Sequence, residues 1–395
     1  MAGYTLRDPS FRGSLFPFTY TRPVAACRTG ILTIREKWER HLGEPVQAEG
    51  ALYLPENLRV PPDFRGGYRA INGALLPDEN LLGALSDLKP HERLVHGDTL
   101  LAWHLASPND DDRDSVTIPY AGTPTLVRHP WDFCRLNDQE IRKDFLLITR
   151  GRRSASPDEL TRLINPSQVF IEPGATVTGA VLNASEGPVY IGKHAVVMEG
   201  ALIRGPFALG EAATVKMGTR IYGATTLGPG SVAGGEIKNS ILFGYANKGH
   251  DGYLGDAVIG EWCNLGAGTS CSNLKNNLTP VKIRDEQAGS YREAGLKCGL
   301  LMGDYSRTAV NTTFNTGSLV GVSTHVFGAA LPPAYLTSFL WAGDQGIGEY
   351  RLEKALSDAA AWKALKGHDL TDQDKSILRH VFQQTSSYRK SFLHS

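Results

Sequence analysis

The chain has 395 residues, 41 Lys+Arg balanced by 41 Asp+Glu, and a 41% hydrophobic content. That length implies two or three domains with enough core to fold unaided. Zero net charge excludes bulk electrostatic attachment to nucleic acid or an anionic membrane surface, and the hydrophobic content excludes wholesale disorder.

The opening MAGYTLRDPS has neither a basic nor an apolar leader region, so no secretory signal is expected. No apolar run reaches the ~18 residues that suggest a membrane span, so no membrane partner is expected. Cys27, Cys134, Cys263, Cys271 and Cys298 are scattered, without CxxC or paired spacing. Free thiols in a reducing cytoplasm are the simplest reading.

Residues 1–160 mix helix and strand signals. Gly30 to Leu42 has helical spacing, with Ile34, Trp38 and Leu42 four apart, and Leu81 to Leu88 is a second helix ahead of Pro90. Ala51–Leu54 and Arg93–His96 read as strands, and 107–114 as an acidic loop. The alternation predicts an α/β layer domain.

From about residue 165 the texture changes. Ile191, Val197, Ile203, Leu209, Val215, Ile221 and Leu227 fall on every sixth position, and the same spacing returns at Ile171/Val177 and Ile259/Leu265. Glycine often follows the aliphatic residue, which is where part of the complement of 43 glycines goes. A period of six is the hexapeptide repeat of a parallel β-helix. Three hexads make one triangular coil, and stacked coils bury a continuous aliphatic core. Met302–Arg307 and Asn311–Gly317 look like polar departures from the repeat. They read either as loops over an acyl donor or as Asn and Thr ladders inside the helix. Beyond residue 345 Tyr350, Leu352, Leu356, Ala360 and Leu365 share a helical face, and Asp369–Phe382 forms another helix. The basic Tyr388-Arg-Lys390 reads as a frayed end. The expected domains are 1–160, 165–345 and a helical tail 346–395.

The hexads break near Ala233, where Gly249-His250-Asp-Gly-Tyr253-Leu-Gly-Asp256-Ala-Val-Ile-Gly260 is followed by Asn264-Leu-Gly-Ala-Gly-Thr269. This run resembles the acetyltransferase half of the bifunctional N-acetylglucosamine-1-phosphate uridylyltransferase/glucosamine-1-phosphate acetyltransferase family. The resemblance implies a left-handed β-helix that forms a homotrimer and takes acetyl-CoA as cosubstrate. It matches the family's catalytic histidine to His250. Its sugar-phosphate ligands match Arg220, Lys238 and Tyr253, and its active-site asparagines match Asn264 and Asn273. A tyrosine expected after the second asparagine is Leu274, and Lys275 is the available substitute for a family lysine further on. A histidine with pKa near 6.5 suits proton removal from an attacking amine at neutral pH. Arg220 and Lys238 supply the cations that a sugar 1-phosphate needs.

Leu15, Pro17 and Thr19 are similar to the start of sugar nucleotidyltransferases, a family whose glycine-rich loop precedes such a frame. Here the loop Pro9–Ser14 has one glycine, and Val24 stands where a lysine follows proline. A backbone phosphate cradle needs more residues without Cβ. Arg22 and Arg28 are the substitute phosphate ligands, and Asp98 of His96-Gly97-Asp98 is the candidate Mg²⁺ ligand. The whole chain most resembles an alternative form of the bifunctional enzyme, with a reduced nucleotidyltransferase-like α/β domain ahead of the β-helix.

The resulting expectation is a sugar-phosphate acyltransferase/nucleotidyltransferase of amino-sugar nucleotide (UDP-N-acetylglucosamine-type) biosynthesis. It would acetylate glucosamine 1-phosphate or a related amino sugar with His250 as general base. Its partners are a sugar phosphate and a nucleoside triphosphate, without nucleic acid. Two alternatives stay open: acyl transfer only, with a degenerate ligand-binding N-domain, or a non-catalytic hexapeptide scaffold. A zinc hydratase on the same prism would need three converging histidines. His194, His250 and His325 are available, but no two histidines are closely spaced in the β-helix.

Overall fold

The computed structural model describes residues 3–54, 68–105 and 115–393, so the acidic segment at 107–114 lies outside the described residues. Contacts divide the chain into two compact units. The first holds 1–15, 21–27 and 32–129; the second holds 16–20, 28–31 and 130–395.

The first unit is built on a six-stranded mixed sheet. Its strands are β1 (Gly3–Arg7), β2 (Gln47–Glu49), β3 (Tyr68–Asn72), β4 (Glu92–His96), β5 (Thr99–Leu105) and β6 (Val116–Pro119), in the order β2-β1-β3-β5-β4-β6. Helix α1 (Ile34–Leu42) starts at a reciprocal cap. The Thr33 hydroxyl accepts from the Glu36 amide, and the Glu36 carboxylate accepts from the Thr33 amide. It buries Ile34 and Trp38, and the indole donates to the Leu75 carbonyl at 2.8 Å. Helix α2 (Glu79–Asp87), capped by Asp78, buries Leu81 and Leu85. Both helices lie where the sequence places them. The strand expected at Ala51–Leu54 is a turn instead, closed by the Leu54 amide on the Ala51 carbonyl at 2.9 Å. Only Leu54 of its two leucines packs inward, while Leu52 is 85% exposed.

The second unit is a three-faced parallel β-helix with a helical tail, as the sixfold period predicts. One face has nine strands, another eight and another five, and the five-stranded row is continued further along by a four-stranded sheet. All seven aliphatics read at every sixth position are buried in one core cluster. The period also continues through Met302, Phe314, Val320 and Val326 in that same core. The segments 302–307 and 311–317 are therefore coils of the helix. The interruption lies between Cys271 and Leu300, where a hairpin, Lys282–Asp285 with Ser290–Glu293, is inserted.

Helix α3 (Asp132–Thr149) belongs to this unit, so the contact boundary falls at 129/130, ahead of the division near 160 read from the sequence. Its polar face explains the grouping. The Asn137 side chain accepts from the Gly30 amide and donates to the Ala224 carbonyl, while Asp144 accepts from the Ile31 amide. Gly30 has φ 78°, and a Cβ there would lie 2.5 Å from the Asp144 carboxylate.

The tail comprises α4 (Leu352–Leu365), α5 (Asp372–Gln384) and α6 (Ser386–Leu393). The inward face of α4 is Ala355, Leu356 and Ala359, whereas Leu365, expected on that face, is 75% exposed. Arg389, read as part of a frayed end, is instead 1% exposed. Its guanidinium donates to Glu349, Thr385 and the Phe382 carbonyl.

Candidate functional site

Parallel pairing in register stacks equivalent positions of successive coils. On the eight-stranded face Ile221, Ile237 and Leu254 point into the core. The residues on either side of them therefore face outward. One outward row runs Arg220, Glu236, Tyr253, and the next runs Tyr222, Lys238, Gly255. Two cations, a carboxylate and two phenols thus share one patch. Glu236 lies between the basic and aromatic groups: it accepts from the Tyr222 hydroxyl at 2.7 Å and lies 3.9 Å from the Arg220 Nε. The Lys238 ammonium sits 5.5 Å from the Tyr222 ring centroid.

Asn273 follows on the same edge of the face. It donates to Asp256, which also accepts from Asn239 at 2.6 Å. Asp256 turns the corner with φ 47° and is nearly buried, so its carboxylate holds two amides in place. In the sequence Asp256 is one residue of a motif, and its positive φ and double hydrogen bond have no signature there. Burial, together with Tyr222, Asp256 and Glu236, pushes the Tyr253 hydroxyl up to about 12, opposed by a hydrogen bond from Asn273. Tyr253 is therefore a neutral donor at physiological pH.

His250 is exposed on the turn between Asn247–Lys248 on the five-stranded face and Tyr253–Gly255 on the eight-stranded face. It stands at the corner that leads into the patch. Asn264 lies around that corner, where it bridges to Asn247 and its side-chain oxygen accepts from the Asn247 side-chain Nδ2 at 2.6 Å. Lys275 sits in the loop beyond Asn273 and donates to the Pro280 carbonyl at 3.0 Å. Arg220, Lys238, Tyr253 and Asn273 are thus on one face, His250 is at its corner, Asn264 is on the neighbouring row and Lys275 is on the inserted loop.

The first unit has its own cavity of about 450 Å³, lined by Arg7, Asp8, Phe11, Asn72, Asp98, Trp103 and Arg128 among others. Asp98, in the tight β4–β5 turn, is exposed at this cavity. Arg22 is 8% exposed and does not line it. Arg28 falls in the second unit and donates to the Ile31 carbonyl. The cations at the cavity are instead Arg7, which pairs with Glu49 and stacks near Trp103, and Arg128, which donates to Thr99. Sequence reading missed both, because β1 and the segment before α3 are distant in the chain. Asp8 is buried: Arg12 pairs with it at 2.8 Å and the Val24 amide donates to it at 2.7 Å. Burial nonetheless raises its pKa to about 6, with Arg12 opposing. Among the described residues no cluster of three His, Cys, Asp or Glu could hold a metal ion, and no helix is long and apolar enough to cross a membrane.

Parts of this chain are similar to known proteins. Residues 4–153 match the family model described as sugar nucleotidyl transferase. The bifunctional protein GlmU of Methanocaldococcus jannaschii is 38% identical over 88 residues, which are 22% of this chain and 21% of that protein. A bifunctional sugar-1-phosphate nucleotidylyltransferase/acetyltransferase of Sulfurisphaera tokodaii is 32% identical over 98 residues, 24% of each chain. The uncharacterized acetyltransferase YaiX of Escherichia coli is 35% identical over 148 residues, 37% of this chain and 64% of that one. The resemblance read from the sequence is borne out over part of the chain. The matches span only about a fifth of the length of the first of these curated relatives.

Proposed function

We propose that this protein is a sugar-phosphate transferase whose β-helix moves an acetyl group from acetyl-CoA to the amine of glucosamine 1-phosphate or a related amino sugar. One observation carries the reading: the register of the eight-stranded face puts Arg220 and Tyr253 in one outward row and Lys238 in the next, with Asn273 just beyond it and His250 at the corner that leads into the face. The two cations hold the phosphate. The neutral amine attacks the thioester carbonyl, His250 takes a proton from its nitrogen as the C–N bond forms, and the C–S bond then breaks with the departing sulfur receiving that proton from His250. Tyr253, neutral, and Asn273, held by Asp256, donate hydrogen bonds to sugar oxygens or to the developing oxyanion.

In the first unit, Arg7, Arg128, Trp103 and Phe11 suit a ligand with phosphates and a flat ring, such as a nucleoside triphosphate. Mg²⁺ is often held by one or two carboxylates together with substrate phosphates, and exposed Asp98 fits that part, whereas Asp8 is engaged by Arg12 and the Val24 amide. With one glycine in the Pro9–Ser14 loop, nucleotidyl transfer is expected to be slow.

The test is direct. Acetyl transfer is followed by thiol release from acetyl-CoA with glucosamine 1-phosphate as acceptor, alongside pyrophosphate release from UTP with a sugar 1-phosphate and Mg²⁺. Turnover in the first assay that disappears in His250→Ala supports the reading. No thiol release with any amino-sugar phosphate refutes it. The homotrimer that accompanies the reading requires a solution mass of three chains.

A further inference from the structure

Lys248 occupies a core position of the β-helix. Along the five-stranded face the inward rung runs Val177, Val197, Val215 and Ala233, and then Lys248, each paired to the next. The first four belong to the aliphatic core, and Lys248 is as buried as they are, 1% exposed. An ammonium placed there is costly unless its protons are satisfied. Its Nζ donates to the Gly234 carbonyl at 3.2 Å and to the His250 carbonyl. Those two carbonyls lie on successive corners between the five-stranded and eight-stranded faces, and the second corner carries His250. That corner is glycine-rich: Gly249 precedes His250, and Gly252 follows at φ 121°. A turn flanked by glycines has little rigidity of its own.

We infer that Lys248 is the positioning residue of the acyl-transfer site, tethering the His250 corner from inside the prism. The inference rests on the role proposed above for His250. Lys248 gives its hydrogen bonds to backbone carbonyls, including that of His250 itself. It fixes the backbone from which the imidazole projects, and so the direction in which the ring meets the patch of Arg220, Lys238 and Tyr253. Burial pushes the ammonium pKa down to about 8, opposed by Asp251, so the tether is still mostly charged at neutral pH.

The test uses Lys248→Met in the full chain, which fills a similar volume without a donor. The melting temperature should hold or rise. The kcat for acetyl transfer to glucosamine 1-phosphate should fall about 10²-fold, the scale of a misplaced catalytic group. KM should stay within about twofold, because the phosphate ligands are untouched. The His250 Cε1–H resonance, assigned by its loss in His250→Gln, should shift or broaden. Lys248→Gln keeps a donor one atom closer to the backbone and should retain part of the activity. It carries the same readouts if the methionine variant does not fold. A folded Lys248→Met with wild-type kcat and an unchanged His250 resonance overturns the inference, as does failure of both variants to fold. If the wild-type chain transfers no acetyl group, the function proposed above fails by itself, and the His250 resonance still decides whether the tether exists.

Discussion

The two units assemble their polar sites in different ways. On the β-helix, Arg220, Glu236 and Tyr253 become neighbours because consecutive coils pair in register. In the first unit, Arg7 and Asn72 meet because β1 and β3 pair in parallel, although a helix and another strand lie between them in the chain. Trp103 is brought in by the antiparallel β5. A repeat converts sequence interval into spatial adjacency, whereas a mixed sheet does so only through its strand order. The solenoid site is therefore set by the register of adjacent coils, while the sheet site depends on long-range pairings.

The largest expected effect tests the solenoid side of this contrast. His250→Ala should lower acetyl transfer by roughly 10²–10⁴-fold, the usual contribution of a general base. Because His250 is exposed, the fold should survive, and an unchanged circular dichroism spectrum and melting temperature would confirm that. Near-full activity in this variant would remove His250 from the mechanism.

The next effect contrasts two buried charges, one in each unit. Asp8 has a folded pKa of about 6, above its unfolded value of 3.8. The folded state then binds the proton more tightly, so the contribution of Asp8 to stability is present below pH 4 and is lost as pH rises through 6. Lys248 is the reverse case, with a folded pKa of about 8 below 10.5. Its contribution is present above pH 10.5 and is lost as pH falls through 8. Each shift corresponds to at most about 3 kcal/mol. Denaturant titrations across both windows should show the acid-side slope vanish in Asp8→Asn and the alkaline slope vanish in Lys248→Met. If either variant keeps the wild-type slope, that group is not the one titrating.

The same contrast explains what one sequence discloses. The aliphatic period from Ile191 to Leu227 specified a triangular prism, since an inward residue recurs in every hexad. The four-residue spacing of Ile34 and Trp38 that marks α1 is equally local. Residues 302–317 escaped because Thr308 and Phe314 occupy inward hexad positions without being Ile, Val or Leu. Arg7 and Arg128 escaped because nothing local links β1 to the segment before α3. Charge and proximity to a motif point to Arg22 and Arg28, yet the first is buried and does not line the cavity and the second donates to the Ile31 carbonyl. Lys248 was hidden by its type, because a lysine is expected at the surface.

Smaller effects separate residues that share a charge but differ in placement. Lys238→Ala should raise KM for the sugar phosphate about tenfold with kcat little changed, as for the loss of one charge-assisted hydrogen bond. Its neighbours explain why: the ammonium stands in an outward row beside the Arg220 row, and its contact there is with the Tyr222 ring face. Lys275 offers the same charge from the inserted loop, outside the coil register, but its ammonium already donates to the Pro280 carbonyl. Lys275→Ala should therefore change KM by less than about twofold, within the range of a solvent-exposed contact. Steady-state kinetics on both variants decide the matter. If Lys275→Ala raises KM as much as Lys238→Ala does, the loop closes over the acceptor, and the patch on the eight-stranded face is only half of the phosphate site.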